Sequence, residues 1–191
     1  MKKLTLLGFG LATVMMAACS GTGSGGSGDT ADTATTVADG MDNTIEQESG
    51  ASQADLDFAK EAANGGMAEV ALGKLAQKKA TDSKVKEFAV MMVTDHTKAN
   101  DELKALASSK NIELPTVPSE DKQQAEEKLS AMSGAEFDKA YITQMVEDHK
   151  KTVALFETAS TSVKDAELKS FIDKTLPTLK THLEHSERLQ K

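Results

Sequence analysis

The sequence predicts an all-α fold, a four-helix bundle of two antiparallel hairpins that follows a disordered N-terminal tether. Four segments between residues 52 and 191 carry apolar side chains at alternating spacings of three and four residues. This spacing is typical of helices that pack in a bundle. Aromatic residues make up 4% of the chain and Trp is absent, whereas good helix formers such as Ala, Leu, Lys, Glu and Met are abundant.

Residues 1–18 have the pattern of a bacterial secretory signal peptide. Two lysines precede an apolar run over residues 4–16, which is too short to span a bilayer. Two alanines then lead into Cys19, the single cysteine, and this ending resembles a lipobox. We therefore expect diacylglycerol on Cys19 to anchor the chain to a bacterial envelope membrane, facing the periplasm and most simply at the outer membrane. The alternative is an ordinary signal peptide followed by an incidental cysteine.

Residues 19–51 comprise this cysteine and a linker rich in Gly, Ser, Thr and Asp. A segment with so few large apolar residues cannot bury enough surface to offset its chain entropy. We therefore expect a flexible tether, with the bundle domain over residues 52–191.

Turn-forming residues bound each predicted helix. The first helix covers residues 53–79, and the Thr-Asp-Ser turn at 81–83 caps a second helix that runs to about 108. Two prolines make residues 110–119 a loop, which precedes a short helix ending at 129. Two further long helices cover 135–161 and the stretch from 165 almost to the end. Short connections make each hairpin antiparallel, but the 110–134 connection could cross the bundle or cap its end.

A polar layer interrupts the apolar face of every long helix. Each inward line contains one ionisable residue near its middle, namely Glu69, His96, His149 and His182. At 1.5 Å per residue, these lie roughly 18 to 27 Å from the hairpin turns, so all four fall in the middle third of the bundle. Two of the histidines belong to a repeated M-V-x-D-H-x-K pattern at residues 92–98 and 145–151, on the second and third long helices.

Three imidazoles and one carboxylate suit Zn, Cu or Fe, and burial of such groups is costly unless they are paired or metal-bound. Candidate supporting residues share a place beside these histidines along the helices: Asp95, Asp148, Met92, Met145 and His185. The aspartates could orient a histidine of a neighbouring helix or form surface pairs with lysines. The methionines could be soft ligands or ordinary core residues. The whole layer could equally be structural and serve only to set helix register.

Three motifs resemble the bacterial domain-of-unknown-function family 4142. They lie at residues 58–70, 85–96 and 176–183 and read FAxxAAxGGMAEV, VKxFAxxMVxDH and LPxLxxHL. The resemblance covers about residues 56–189 and implies a ferritin-like fold in an envelope protein, with no established activity. Ferritin-like di-iron proteins pair Glu residues with Glu-x-x-His motifs. Here only Glu69 matches such a carboxylate, because the residue three positions before each histidine is Val or Leu.

Several function classes are excluded by the residues. The formal net charge of −8 disfavours nucleic acid as a partner, and no phosphate-binding glycine loop or nucleophile-elbow serine is present. The leading hypothesis is metal binding or sensing without catalysis. The alternative is a structural or stress-related envelope protein that holds no metal. A ferritin-like redox enzyme is the least favoured, since it needs two metal ions about 3.5 to 4 Å apart.

Overall fold

The computed structural model describes residues 50–191, and they form five helices without a strand. The helices are α1 (Gln53–Lys79), α2 (Ser83–Ser109), α3 (Glu120–Ser130), α4 (Gly134–Ser162) and α5 (Ala166–Gln190). The predicted all-α bundle of two antiparallel hairpins is confirmed, with α1 packed on α2 and α4 on α5. The signal peptide, Cys19 and most of the tether fall outside the described residues. No helix within residues 50–191 is both long and apolar enough to cross a bilayer.

Local sequence explains where the long helices begin. Ser52 and Asp55 form a reciprocal capping box at the start of α1. Asp82 and Asp165 cap α2 and α5 by accepting hydrogen bonds from two backbone N–H groups each. Pro177 lies inside α5, which continues as one helix from Ala166 to Gln190.

The connection between the hairpins crosses the length of the bundle. Asp138, near the start of α4, accepts hydrogen bonds from the backbone N–H groups of Thr81 (3.0 Å) and Asp82 (2.9 Å) in the first hairpin turn. The start of α4 therefore lies beside the end of α1. Because α2 ends at the opposite pole, residues 110–133 must run the full length of the bundle, and α3 packs there against α1 and α4. One long crossover of this kind is the ferritin-like arrangement.

A matching clamp holds the other pole. Asp55, in the first turn of α1, accepts hydrogen bonds from the backbone N–H groups of Lys164 (2.8 Å) and Asp165 (3.1 Å) in the second hairpin turn. Burial alone would raise the pKa of Asp55, but its hydrogen bonds with Ser52 and with the turn backbone lower it below the ordinary value. Each hairpin thus fixes the turn of the other through a buried aspartate.

Two apolar clusters fill the bundle on either side of its middle. One lies near the Asp55 pole and contains Phe58, Phe156 and Phe171. The other lies near the Asp138 pole and contains Phe88 and Tyr141. On every long helix the predicted polar residue falls between the stretches that feed these clusters, so the polar layer separates two apolar halves.

Glycines bring α1 close to α2. A Cβ on Gly73 would lie 2.8 Å from the Val93 side chain and 3.3 Å from the Ala89 carbonyl oxygen, and one on Gly66 would collide with Asn100. A Cβ on Gly65, in contrast, would have only the Thr152 hydroxyl oxygen nearby, at 3.9 Å.

Candidate metal centre

Three histidines from three helices meet at the middle of the bundle. His96 of α2, His149 of α4 and His182 of α5 have relative exposures of 4%, 0% and 1%. Their ring centroids lie 5.3 to 5.5 Å apart in every pairing. One ring nitrogen from each histidine lies within 4.8 Å of the other two. Helical phase and matching height along the bundle, as the sequence indicated, therefore bring these side chains together.

One nitrogen of each ring faces a protein oxygen. His149 Nδ1 lies 2.9 Å from the Met145 carbonyl oxygen, one turn earlier on α4. His182 Nε2 lies 2.9 Å from Asp95 Oδ2, across the α2–α5 contact. His96 Nδ1 lies 3.0 Å from Glu69 Oε2 on α1. Carbonyl and carboxylate oxygens only accept hydrogen bonds, so His149 Nδ1 and His182 Nε2 carry hydrogen, and with Glu69 ionised its proximity gives the same assignment for His96 Nδ1.

The other nitrogen of each ring is buried without any partner among the described residues. These atoms are His96 Nε2, His149 Nε2 and His182 Nδ1. Because the hydrogen lies on the opposite nitrogen of the ring, each of these atoms has a lone pair that is free to accept a bond. Buried polar atoms are nearly always paired in proteins, with protein groups or with ordered water, so three unpaired acceptor nitrogens in one cluster make this the candidate ligand site.

Burial also holds the imidazoles of His96 and His182 in their neutral form. Desolvation and then the neighbouring His149 lower the pKa of His96 to about 3, against a smaller opposing effect of Asp95. Desolvation and His96 lower the pKa of His182 to about 4, although its bond with Asp95 partly opposes the shift. Neutral imidazole is the form that binds metal ions, so these two rings are available as ligands at neutral pH.

Glu69 lies at the predicted level but behind the histidines. Its two oxygens are 3.0 Å from His96 Nδ1 and 3.5 Å from His149 Nδ1, distances typical of ion pairs, yet neither oxygen has a well-aligned hydrogen bond. Burial raises the pKa of this carboxyl, which His149 and Lys122 partly oppose. The sequence placed Glu69 among the ligands. The structure differs, because its oxygens face the nitrogens opposite the orphan lone pairs.

The other candidate supporting residues have separate positions. Asp95 accepts from His182, so of the two alternatives that the sequence left open it lies in the position of an orienting residue. Asp148 instead pairs with Lys122 of α3 at 2.7 Å and accepts a hydrogen bond from Gln144 at 3.0 Å. Met92 and Met145 are fully buried in the apolar cluster near the Asp138 pole, although the Met145 carbonyl faces His149.

His185 lies outside the cluster. Its ring packs edge-on against Phe88 at a centroid distance of 5.3 Å, and the side chain is half-buried. Its surroundings also lower its pKa, through desolvation first and then the charge of Arg188.

Two residues near the site were missed by sequence reasoning. The Tyr141 hydroxyl is buried without a partner, and burial together with the charge of Glu69 raises its pKa. Its spacing of four and eight residues before Met145 and His149 could have placed it on the same face. Lys122 carried no such signal, because α3 has no long apolar line from which its orientation could be inferred.

A family model described as "Domain of unknown function (DUF4142)" matches residues 41–189, which is most of the chain. The chain belongs to the DUF4142 family. The resemblance seen in its motifs is therefore confirmed, and the family description itself assigns no activity.

The DUF4142 fold also occurs in a solved structure. A DUF305 fragment from Deinococcus radiodurans, known from a crystal structure, superimposes with a TM-score of 0.65 at 11% identity. The alignment covers 73% of this chain and 97% of that chain. At that identity the likeness concerns the fold alone. No curated protein matches the chain.

Proposed function

We propose that this DUF4142 protein binds one divalent transition-metal ion through His96 Nε2, His149 Nε2 and His182 Nδ1. The observation that carries the proposal is the cluster of three buried lone pairs that face no hydrogen-bond donor in the described chain. One ring nitrogen from each of the three histidines lies within 4.8 Å of the other two. Nitrogens bound tetrahedrally to Zn²⁺ at about 2.0 to 2.1 Å would be roughly 3.4 Å apart. Small ring rotations therefore suffice to close the site around an ion.

The donor set favours borderline metal ions. Neutral imidazole suits Zn²⁺, Cu²⁺ and Fe²⁺, whereas Mg²⁺ and Ca²⁺ prefer oxygen ligands. The burial of Met92 and Met145 in an apolar cluster supports their role as core residues rather than as soft ligands. Glu69, Asp95 and the Met145 carbonyl would orient the rings from behind, as partners of ligating histidines commonly do.

The site supports binding or sensing better than catalysis. The three histidines and Glu69 are each 4% exposed or less, so an ion held there would have no open surface for a substrate. Within residues 50–191 no second group of three or more His, Cys, Asp or Glu residues could hold a neighbouring ion. A two-metal redox reaction is accordingly not supported by these residues.

Metal analysis of the full chain, purified without a histidine tag, tests the proposal. We expect close to one ion per chain after incubation with Zn²⁺ or Cu²⁺ and dialysis, and loss of that ion in His149→Gln. His185→Gln is the matched control, because it removes a histidine of the same helix as His182 that stands outside the cluster. A wild-type chain that retains no Zn, Cu or Fe and melts at an unchanged temperature in their presence would refute metal binding. That result would favour the structural alternative.

We also propose that the domain acts in the bacterial envelope, anchored through a lipid on Cys19. Three sequence features support this localisation: the lysines at 2 and 3, the apolar run, and the Ala-Ala-Cys ending. The expected result is incorporation of labelled palmitate and recovery with membranes in the wild type, with both lost in Cys19→Ser. An unlabelled wild-type chain in the soluble periplasmic fraction would contradict the anchor.

A further inference from the structure

The seam between α2 and α5 is the least tightly packed side of the bundle. These two helices share fewer close approaches than any other adjacent pair of long helices. A surface hollow of about 150 Å³ lies in this seam and is lined by Asp95 and Ala99 of α2 and by Thr175 and Thr178 of α5. The Lys174–Glu102 ion pair, at 2.6 Å, also borders this hollow and links the two helices at its edge.

Asp95 connects this hollow to the buried histidines. Its side chain is 39% exposed, yet its Oδ2 atom lies 2.9 Å from Nε2 of His182, whose side chain is only 2% exposed. The opposite atom of the same ring, Nδ1, is one of the three orphan lone pairs. A single imidazole therefore spans the distance between a partly exposed carboxylate and the proposed metal centre.

On the other sides of the layer, no exposed carboxylate of the described residues lies against a histidine nitrogen. His149 Nδ1 faces a carbonyl of its own helix, and His96 faces Glu69, which is itself 2% exposed. Asp148 is also 2% exposed, and its charge is already paired with Lys122 of the crossover helix α3.

We propose that metal ions enter and leave the centre through the α2–α5 seam, with Asp95 as the capture residue and His182 as the ligand that swings to pass the ion inward. This inference rests on the proposed function. A hydrated divalent cation would first meet the Asp95 carboxylate in the hollow, where its negative charge attracts the ion against the repulsion of Lys98, while Lys174 is paired with Glu102. Breaking one hydrogen bond, between Asp95 and His182, then frees the ring to turn. Asp95 is thus a positioning residue that acts both on the ion and on His182.

The route can be tested by blocking the hollow without touching a ligand. Thr178→Trp places a bulky side chain at its exposed edge, and Thr143→Trp is the control on the groove between α3 and α4. Stopped-flow absorbance would follow Co²⁺ binding to the full chain and its displacement by excess Zn²⁺. We expect Thr178→Trp to slow association and dissociation by the same factor and to leave Kd unchanged, whereas Thr143→Trp changes neither rate.

Asp95→Asn provides a second variant that keeps the shape and a hydrogen-bond acceptor for His182. Loss of its charge should slow association by roughly tenfold at low salt and weaken the salt dependence of that rate. Glu102→Gln, in the same hollow but already paired with Lys174, should have a smaller effect. Wild-type rates in both Thr178→Trp and Asp95→Asn would overturn the route while leaving metal binding intact. Absence of Co²⁺ binding in the wild type would overturn the proposed function itself.

Discussion

Replacing His149 with leucine should make the metal-free protein more stable and the metal-loaded protein less stable than the wild type. His149 is fully buried, and its Nε2 atom has no partner. Such an unsatisfied buried atom costs roughly 1 to 3 kcal/mol. The leucine removes this penalty and loses the Nδ1 hydrogen bond to the Met145 carbonyl, which contributes about 1 kcal/mol. That carbonyl stays in the backbone bonding of α4, so no new orphan is created.

The net expectation without metal is a gain of about 1 kcal/mol in the free energy of unfolding. With free Zn²⁺ at one hundred times Kd, the wild type gains about 2.7 kcal/mol, whereas the variant has lost a ligand and gains far less. The order of stability should therefore reverse between the two conditions. Urea unfolding followed by circular dichroism, in EDTA and in buffered Zn²⁺, measures both differences.

His185→Leu is the control for this comparison, because His185 packs on Phe88 and contacts none of the three clustered histidines. It should leave the zinc-dependent gain at its wild-type value. If His149→Leu is destabilised by 2 kcal/mol or more in EDTA and the wild type gains nothing from zinc, the polar layer is structural and the metal assignment is wrong.

Three further predictions concern the surroundings of the site. Glu69→Gln keeps the side-chain shape but removes the charge behind two rings, so zinc affinity measured by competition with a chelator should fall about 10- to 100-fold. His96 and His182 have folded pKa values lowered to about 3 and about 4, below the unfolded value near 6.5. Their contribution to the free energy of unfolding is therefore complete above pH 6.5. The urea midpoint of the metal-free protein should fall as the pH drops from 6.5 towards 4. A midpoint that is constant over that interval would show that neither ring is buried in its neutral form. Asp138→Asn weakens the charge-assisted bonds to the Thr81 turn and should lower the unfolding free energy by about 2 kcal/mol. It should leave the zinc affinity unchanged, because the histidine cluster lies in a different part of the bundle.

The long helices and the level of the polar layer were predictable because both follow from local periodicity. A helix has a fixed rise and a fixed angular step, so an apolar line with one polar position determines which side chain faces inward and how far along. The predicted bounds of α1 agree with the structure. The three histidines on the predicted inward lines are the three that meet.

The path of the crossover could not be predicted in the same way. Residues 110–133 carry no long apolar line, and their direction is fixed by the contact of Asp138 with the first hairpin turn. A signal for that clamp was nevertheless present. In each hairpin, an aspartate that binds the turn of the other hairpin precedes the aspartate that caps the second helix. The number of residues from Asp55 to Asp82 is the same as the number from Asp138 to Asp165. This equal spacing relates α1 to α4 and α2 to α5. The repeated histidine motif lies on α2 and α4 instead, so it does not follow this relation.

The position of Glu69 behind the rings depends on rotamers rather than on periodicity. A helical line shows that a side chain points inward, but it does not show which of two ring nitrogens meets it. The same holds for Asp95 and Asp148, which occupy equivalent places beside a histidine in the sequence. The first bonds to His182 of another helix, and the second is drawn to Lys122 of the crossover. Tertiary neighbours decide between these outcomes.

Anomalous diffraction from crystals of the protein grown with Zn²⁺ tests the central claim most directly. We expect one dominant peak inside the bundle, about 2.0 to 2.1 Å from His96 Nε2, His149 Nε2 and His182 Nδ1. Glu69 should remain behind the rings, within hydrogen-bond distance of His96 Nδ1. Crystals in which zinc binds only to surface carboxylates, and in which the three inner nitrogens face no ion, would contradict it.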